Sequence, residues 1–154
     1  MKTAKLYETH VYTKKLEEAI AFFRNLDLDL AYVINERRVA FFWLGDSAKK
    51  EQMLGVWEVP EDKFRKSHFA FYVDFDELMK VPRFLAKKGI ELSPSFGLDT
   101  SEPIVHSWMP SASYYFEDVD GNSLEYITVL EGEPRPELGA VHLSTWRKSM
   151  KQTV

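Results

Sequence analysis

The chain contains no cysteine among its 154 residues. That excludes a thiol nucleophile and a disulfide framework, and it restricts any metal to nitrogen and oxygen donors. Long apolar runs are missing too: no stretch reaches the roughly 18 residues of a membrane-spanning helix, and the opening MKTAKLYETH lacks the apolar core of a secretory signal. Positive charge is not in excess. Lys and Arg number 20 against 24 Asp and Glu, a net charge of −4, and the pairs Lys14-Lys15, Lys49-Lys50 and Lys87-Lys88 are scattered among acids. A phosphate-tracking surface needs a concentrated basic stripe. Neither nucleic acid nor a membrane is therefore expected as a partner, and a cytoplasmic location fits the cysteine-free composition. A phosphate-cradling glycine-rich loop and a nucleophile elbow are absent as well.

What is present is apolar and aromatic. Hydrophobic residues make up 45% and aromatics 14%, which suits a single domain over 1–154, able to bury roughly 68–70% of its unfolded surface. The pattern along the chain repeats. Leu6 to Tyr12 reads as a strand. Apolar residues at Leu16, Ala19, Ile20, Phe23 and Leu26 follow with helical spacing, with Thr13 as a candidate N-cap. Strand-like runs come next at Leu30–Ile34, Val39–Leu44 and Met53–Val59. The order then recurs: a strand at Ser67–Val73, a loose turn at Asp76–Lys80, a short helix with Pro82 at its first position and Gly89 past its end, and strands at Ile90–Leu92, Tyr114–Glu117 and Leu124–Val129. Asp118-Val119-Asp120-Gly121-Asn122 reads as a hairpin turn; its Gly stands too early for a calcium-binding EF-hand loop. The expected architecture is α+β, with a first βαβββ module over 5–60, a second over 67–130, and an extended C-terminal tail over 131–154 that packs through Leu143 and Trp146. Residues 93–111 read as a long loop, a candidate lid.

Strand alternation sorts the chemistry. Leu6, Glu8, His10 and Tyr12 share one face of the first strand; His68, Ala70 and Tyr72 share one face of its counterpart, opposite the apolar Phe69, Phe71 and Val73. Glu125 sits in the otherwise apolar Leu124-Glu125-Tyr126-Ile127, where a lone carboxylate is costly unless paired. If the modules pair their first strands, His10 and His68 meet by pseudo-symmetry, and Glu125 could join them. Two imidazoles and one carboxylate form the facial arrangement used by non-haem iron.

The residues Tyr7-Glu8-Thr9-His10-Val11, the helix around Ala21-Phe22-Phe23, Ser67-His68-Phe69-Ala70-Phe71, and Tyr115-Phe116-Glu117-Asp118-Val119-Asp120-Gly121-Asn122-Ser123-Leu124-Glu125-Tyr126 resemble the vicinal oxygen chelate superfamily. That group includes glyoxalase, ring-cleaving dioxygenases, fosfomycin-resistance enzymes and bleomycin-resistance proteins. The last segment resembles the family's F-x-D-P-D-G-N-x-x-E hairpin, with Val119 in place of proline. The resemblance spans residues 5 to about 130. It implies a curved mixed sheet around a metal-binding cleft, with His10, His68 and Glu125 as ligands of one divalent ion (Fe, Mn, Ni or Zn). Gly55 falls where glyoxalase has a fourth ligand. Tyr12 stands where fosfomycin-resistance enzymes carry threonine.

The implied function is a metal-dependent lyase, isomerase or dioxygenase acting on a small organic substrate chelated through oxygen, in a homodimer. The alternative is a metal-free bleomycin-resistance-type protein that sequesters an aromatic ligand. Tyr12, Tyr72, Trp108 and Tyr115 are the candidate substrate contacts, with His106 as a candidate base.

Overall fold

The computed structural model describes residues 1–151. Its packing divides the chain into two compact units, one of residues 1–67 with 118–122 and the other of 68–117 with 123–154. The class is α+β, as the alternation of strand and helix periods requires, with one mixed sheet in each unit.

In the first unit the order is β1 (Glu8–Thr13), α1 (Leu16–Asn25), β2 (Asp29–Ile34), β3 (Val39–Leu44) and β4 (Gln52–Glu58). The sheet runs β1-β4-β3-β2, with β1 parallel to β4 and the remaining pairs antiparallel. Val11, Ala40, Phe42, Leu54 and Val56 on one sheet face are buried, as are Leu16, Ala19 and Phe23 of α1. Each large apolar side chain in such a core contributes about 1.5–3 kcal/mol.

Thr13 does not act as the side-chain N-cap of α1; Lys15 holds that position without one. The helix start is satisfied from across the sheet, because Glu58 Oε2 accepts from Leu16 N at 2.7 Å. Arg38 locks that carboxylate in place, donating through Nε at 2.9 Å and Nη2 at 2.7 Å. Those two contacts hold the Glu58 pKa down to about 2. Thr13 instead donates to Asp120 Oδ2 at 2.5 Å. Residues 118–122 form a polar knot: Asp118 Oδ1 accepts from the amides of Asp120 and Asn122, and Asn122 donates through Nδ2 to Tyr12 O at 3.0 Å and accepts from Ser67 N at 2.8 Å. Gly121 closes the turn at φ +80°. Burial pushes the Asp118 carboxyl pKa up.

The second unit runs β5 (His68–Tyr72), α2 (Phe75–Leu78), α3 (Val81–Lys87), β6 (Leu92–Ser93), β7 (Ile104–His106), β8 (Ser111–Glu117), β9 (Ser123–Val129), β10 (Ala140–His142) and α4 (Leu143–Lys151). Its sheet order is β10-β7-β8-β9-β5, with β6 on β8. β5 is parallel to β9, and the β8–β9 hairpin is antiparallel.

Three sequence expectations are corrected here. Asp76–Lys80 is a turn only at Met79 and Lys80; its first three residues belong to α2, which Asp74 caps by accepting from Glu77 N at 2.8 Å. The 93–111 segment is not loop throughout. Ile104-Val105-His106 is an apolar triplet ending in a polar residue, too short for a pattern to declare itself, and it pairs with both β8 and β10. The tail is not extended: after Pro136 it forms β10 and α4, burying Leu143 and Trp146. Residues 152–154 of that tail lie outside the described residues.

The Glu58 contacts predict a pH-dependent cap. Glu58→Gln should lower the stability of the first unit by about 1 kcal/mol, the typical value of a helix cap, read as a shift in the urea midpoint at pH 7. The folded pKa is depressed below its ordinary 4.5, so the contribution is full above that value. The difference between variant and wild type should shrink as pH falls toward about 2.

Candidate functional site

In the second unit, register decides which side chains share a face. Partners across a ladder lie on the same side, and alternate residues follow. Tyr115 pairs with Glu125, Glu125 with Ala70, His68 with Ser123, and His106 with Ser111. One sheet face therefore carries His106, Ser113, Tyr115, Glu125, His68 and Tyr72. The opposite face carries Phe116, Leu124 and Phe69, with Phe116 and Leu124 fully buried.

On the polar face, His68 Nδ1 lies 3.0 Å from the Ser123 carbonyl oxygen, which can only accept. Nδ1 therefore carries a proton. Nε2 lies 3.0 Å from Glu125 Oε2. Glu125 is only 4% exposed, and its other oxygen accepts from Ser113 Oγ. A carboxylate oxygen and an imidazole nitrogen at hydrogen-bond distance need a proton or a cation between them. A metal-ligating histidine usually ties its other ring nitrogen to a carbonyl or carboxylate in this way, which fixes the orientation of the ring. In donor chemistry the pair fits a divalent metal.

Beside the pair, Tyr115 OH and His106 Nε2 are 2.6 Å apart. Tyr115 also hydrogen-bonds the side chains of Ser113 and Glu125; burial, then the Glu125 charge, pushes its pKa up. Burial pushes the His106 pKa down. His106 is 3% exposed, yet its Nδ1 has no hydrogen-bond partner. A buried polar atom left unpaired costs about 1–3 kcal/mol, so it marks strain kept for a reason or a ligand to be met. Aromatic rings surround this dyad: Phe96 at 5.0 Å and Trp108 at 4.8 Å from the His106 ring.

The first unit holds its own pair. His10 Nε2 meets Glu8 Oε1, two residues away on the same face of β1. The His10 ring also packs 5.5 Å from Trp57 and 6.2 Å from Phe41. A cavity of about 600 Å³ is lined by His10, Tyr12, Trp57, Val59 and Ser67, within the usual range for small-molecule sites. Gly55 lies opposite His10 in the β1–β4 ladder. A Cβ built on it would stand 2.8 Å from His10 Cδ2 and 3.0 Å from Nε2, so the imidazole occupies the space of a side chain there.

No protein-family model matches the chain, and no curated protein does. Solved structures do. An integron cassette protein from the mobile metagenome of the Halifax Harbour sewage outfall is 26% identical, over 81% of this chain and 98% of that one, at a TM-score of 0.69. Lactoylglutathione lyase from Agrobacterium tumefaciens is 22% identical over 83% and 96%, at 0.63. A glyoxalase/bleomycin resistance protein/dioxygenase from Nocardioides is 21% identical over 85% and 87%, at 0.61. The chain has the vicinal oxygen chelate fold.

Within this fold, the residues singled out from sequence are distributed as follows. His68 and Glu125 are brought together, with Tyr115 directly across from Glu125 and His106 on Tyr115. Trp108 joins the rings around His106, 43% exposed. Tyr72 stands on the same face, exposed. His10 and Tyr12 belong to the first unit and share its cavity. Among the described residues, no cluster of three or more His, Asp or Glu is arranged to hold a metal; the donors stand as pairs.

Glu8, Ser113 and Phe96 were missed by sequence reasoning. Glu8 was visible as the acid two before His10. Ser113 could be found only once the β8–β9 register was known. Phe96 sits at φ +54° in a bend that no pattern announces. No helix among the described residues is long and apolar enough to cross a membrane.

Removing the Tyr115 hydroxyl leaves His106 with both nitrogens unpaired. Tyr115→Phe should destabilise the second unit by about 1–3 kcal/mol, measured by chemical unfolding. An unchanged midpoint would mean that the dyad adds nothing to stability.

Proposed function

We propose that the protein is a metal-dependent enzyme of the vicinal oxygen chelate type, with lyase, isomerase or dioxygenase chemistry on a small organic substrate that presents paired oxygen atoms. The observation that carries this reading is the His68–Glu125 pair, with Nδ1 held by the Ser123 carbonyl and Nε2 turned to a buried carboxylate. His10, His68 and Glu125 are the proposed ligands of one divalent ion (Fe, Mn, Ni or Zn). When bound, such an ion supplies Lewis acidity to two substrate oxygens.

The chain's own residues supply the rest. Ser113 keeps Glu125 oriented through its hydroxyl. His106, whose pKa burial lowers, and Tyr115 form a dyad for moving a proton at a substrate carbon or oxygen, with the unpartnered Nδ1 as the atom left to meet the substrate. Trp108 and Phe96 exclude water from His106. Tyr12 and Trp57 border the first unit's cavity and suit a planar or aromatic portion of the substrate. Homodimerisation and a cytoplasmic location belong to the same reading; the first is checked by sedimentation and the second by fractionation of cells making the protein.

One fact favours the alternative of a metal-free bleomycin-resistance-type binding protein: the donors stand as pairs, with no cluster of three among the described residues. Metal analysis separates the two. Protein purified without a chelating column should carry about one divalent ion per chain, as a three-ligand open site holds one, and His68→Ala should lose it. A wild type that holds no metal and takes up no Fe, Mn, Ni or Zn would leave the sequestering reading standing. Iron would direct the assay to oxygen consumption, the other ions to lyase or isomerase turnover.

A further inference from the structure

We infer that Phe96 is the gate of the His106 recess, a ring held over the histidine that must swing aside before a substrate meets it. The inference rests on the proton-moving role proposed for His106 and Tyr115, and goes beyond it by naming the residue that controls entry.

The recess is closed as it stands. His106 is buried, and its unpartnered Nδ1 is shut off from solvent. Its Nε2 is hydrogen-bonded to Tyr115 OH. In the sheet, His106 stands between Ser111 of β8 and Ala140 of β10. The remaining cover is aromatic, with the Trp108 ring 4.8 Å and the Phe96 ring 5.0 Å from the imidazole. An atom that solvent does not reach takes no ligand until one of these rings leaves.

Backbone anchoring separates the two. Trp108 sits in the turn between β7 and β8, which is tied down on both sides. Ser107 N donates to Gly139 O at 3.3 Å, Arg135 N to Ser107 O at 2.7 Å, and Leu130 N to Pro110 O at 2.8 Å. Phe96 stands at the tip of a two-residue hairpin. Among the described residues, the backbone bonds of that hairpin are internal: Leu98 N to Ser95 O at 2.9 Å and Ser95 N to Leu98 O at 3.2 Å. At its base, His142 Nε2 lies 3.2 Å from Asp99 O and 3.3 Å from Asp99 Oδ1. The base is thus fixed to β10, while the tip is bonded only to itself.

The tip is also strained. Phe96 and Gly97 have φ of +54° and +73°, the backbone of a turn that favours Asn-Gly or Gly-Gly. There an L side chain crowds the following carbonyl oxygen, and a bulky residue is an outlier. Burial does not offset the strain, because Phe96 stays 59% exposed. Strain of this kind collects at ligand clamps and switches. What the ring does touch is the recess: besides His106, it lies 6.1 Å from Tyr115 and 6.4 Å from Trp108. Its departure opens a slot walled by those three rings, which suits a planar unsaturated group.

The test is the rate at which diethyl pyrocarbonate modifies each histidine of the full chain, followed by peptide mass spectrometry, in wild type, Phe96→Gly and Trp108→Ala. The half-exposed His68 is the internal reference, and urea unfolding reports the stability of each variant. Phe96→Gly should speed modification of His106 by about tenfold or more, because the reagent no longer waits for local opening, with His68 unchanged. Its urea midpoint should hold or rise, since glycine adopts the left-handed backbone without strain. Equal rates at His106 in Phe96→Gly and wild type overturn the inference. Release by Trp108→Ala alone assigns the cover to Trp108 and overturns it too. A rise shared by His68, with a lower midpoint, reports loosening of the whole unit and has the same consequence. The readout needs neither metal nor turnover, so failure of the gate is told apart from failure of the metal-dependent reading, which metal content decides.

Discussion

The polar groups singled out in each unit depend on one parallel ladder, β1 with β4 in the first unit and β5 with β9 in the second. A strand has a side-chain period of two, and a slip of one residue would send every side chain to the opposite face. The ladder is fixed by its apolar side. In the first unit Val11, Leu54 and Val56 must meet α1; in the second, Leu124 and Phe116 must stay dry. Once those residues are committed, the polar set has no freedom. Glu8, His10 and Tyr12 go to one face of β1, and His68, Glu125, Tyr115 and His106 go to one face of the second sheet. Hydrophobic burial thereby aims the imidazoles and carboxylates without any interaction of their own.

The aimed groups then face the cost of their position. Glu125 and His106 are almost wholly buried, and an ionised carboxylate cannot be left alone there. The fold answers with a chain of contacts: Ser113 on one oxygen, His68 on the other, Tyr115 alongside and His106 on Tyr115. Contacts in such a network reinforce one another in a low dielectric, and an incomplete one is expensive. The network is incomplete at one atom, His106 Nδ1. A fold selected for stability alone would close that gap with a hydroxyl or fill it with an apolar residue. Under the proposed function, the gap is where substrate arrives. The first unit spends its polar groups differently: Glu58, Arg38 and the 118–122 knot secure helix and strand ends, while the His10–Glu8 pair stays half-open.

Much of this was legible in the sequence. The strands at Val39–Leu44 and Leu124–Val129 carry enough β-branched and aromatic residues to declare themselves, and the α1 stripe is regular. Glu125 stood out because an acid within an apolar strand needs a partner. The segments that were misread share a cause. β7 is three residues long and lies in a stretch punctuated by Pro103 and Pro110, so local composition speaks for a loop while pairing on two sides makes it a strand. The tail has the same character: its prolines and Gly139 precede a helix whose apolar residues are few, and docking of Leu143 and Trp146 supplies what propensity does not. The helix cap was assigned to Thr13 by proximity. The structure draws it from Glu58, forty-two residues away, which no window along the chain can see.

Register is also where reading along the chain stops and reading across it begins. Residue type alone pairs His10 with His68. The ladder compares positions instead: His10 stands opposite Gly55, whereas His68 stands opposite Ser123. A carboxylate and an imidazole are both good ligands of a hard or borderline divalent ion. The residue facing the His10 imidazole across the ladder must be small enough to let the ring lie down. Gly55 is that residue. Without a side chain of its own, it leaves the space in which the His10 ring lies, and the contact between His10 and Glu8 follows from that packing.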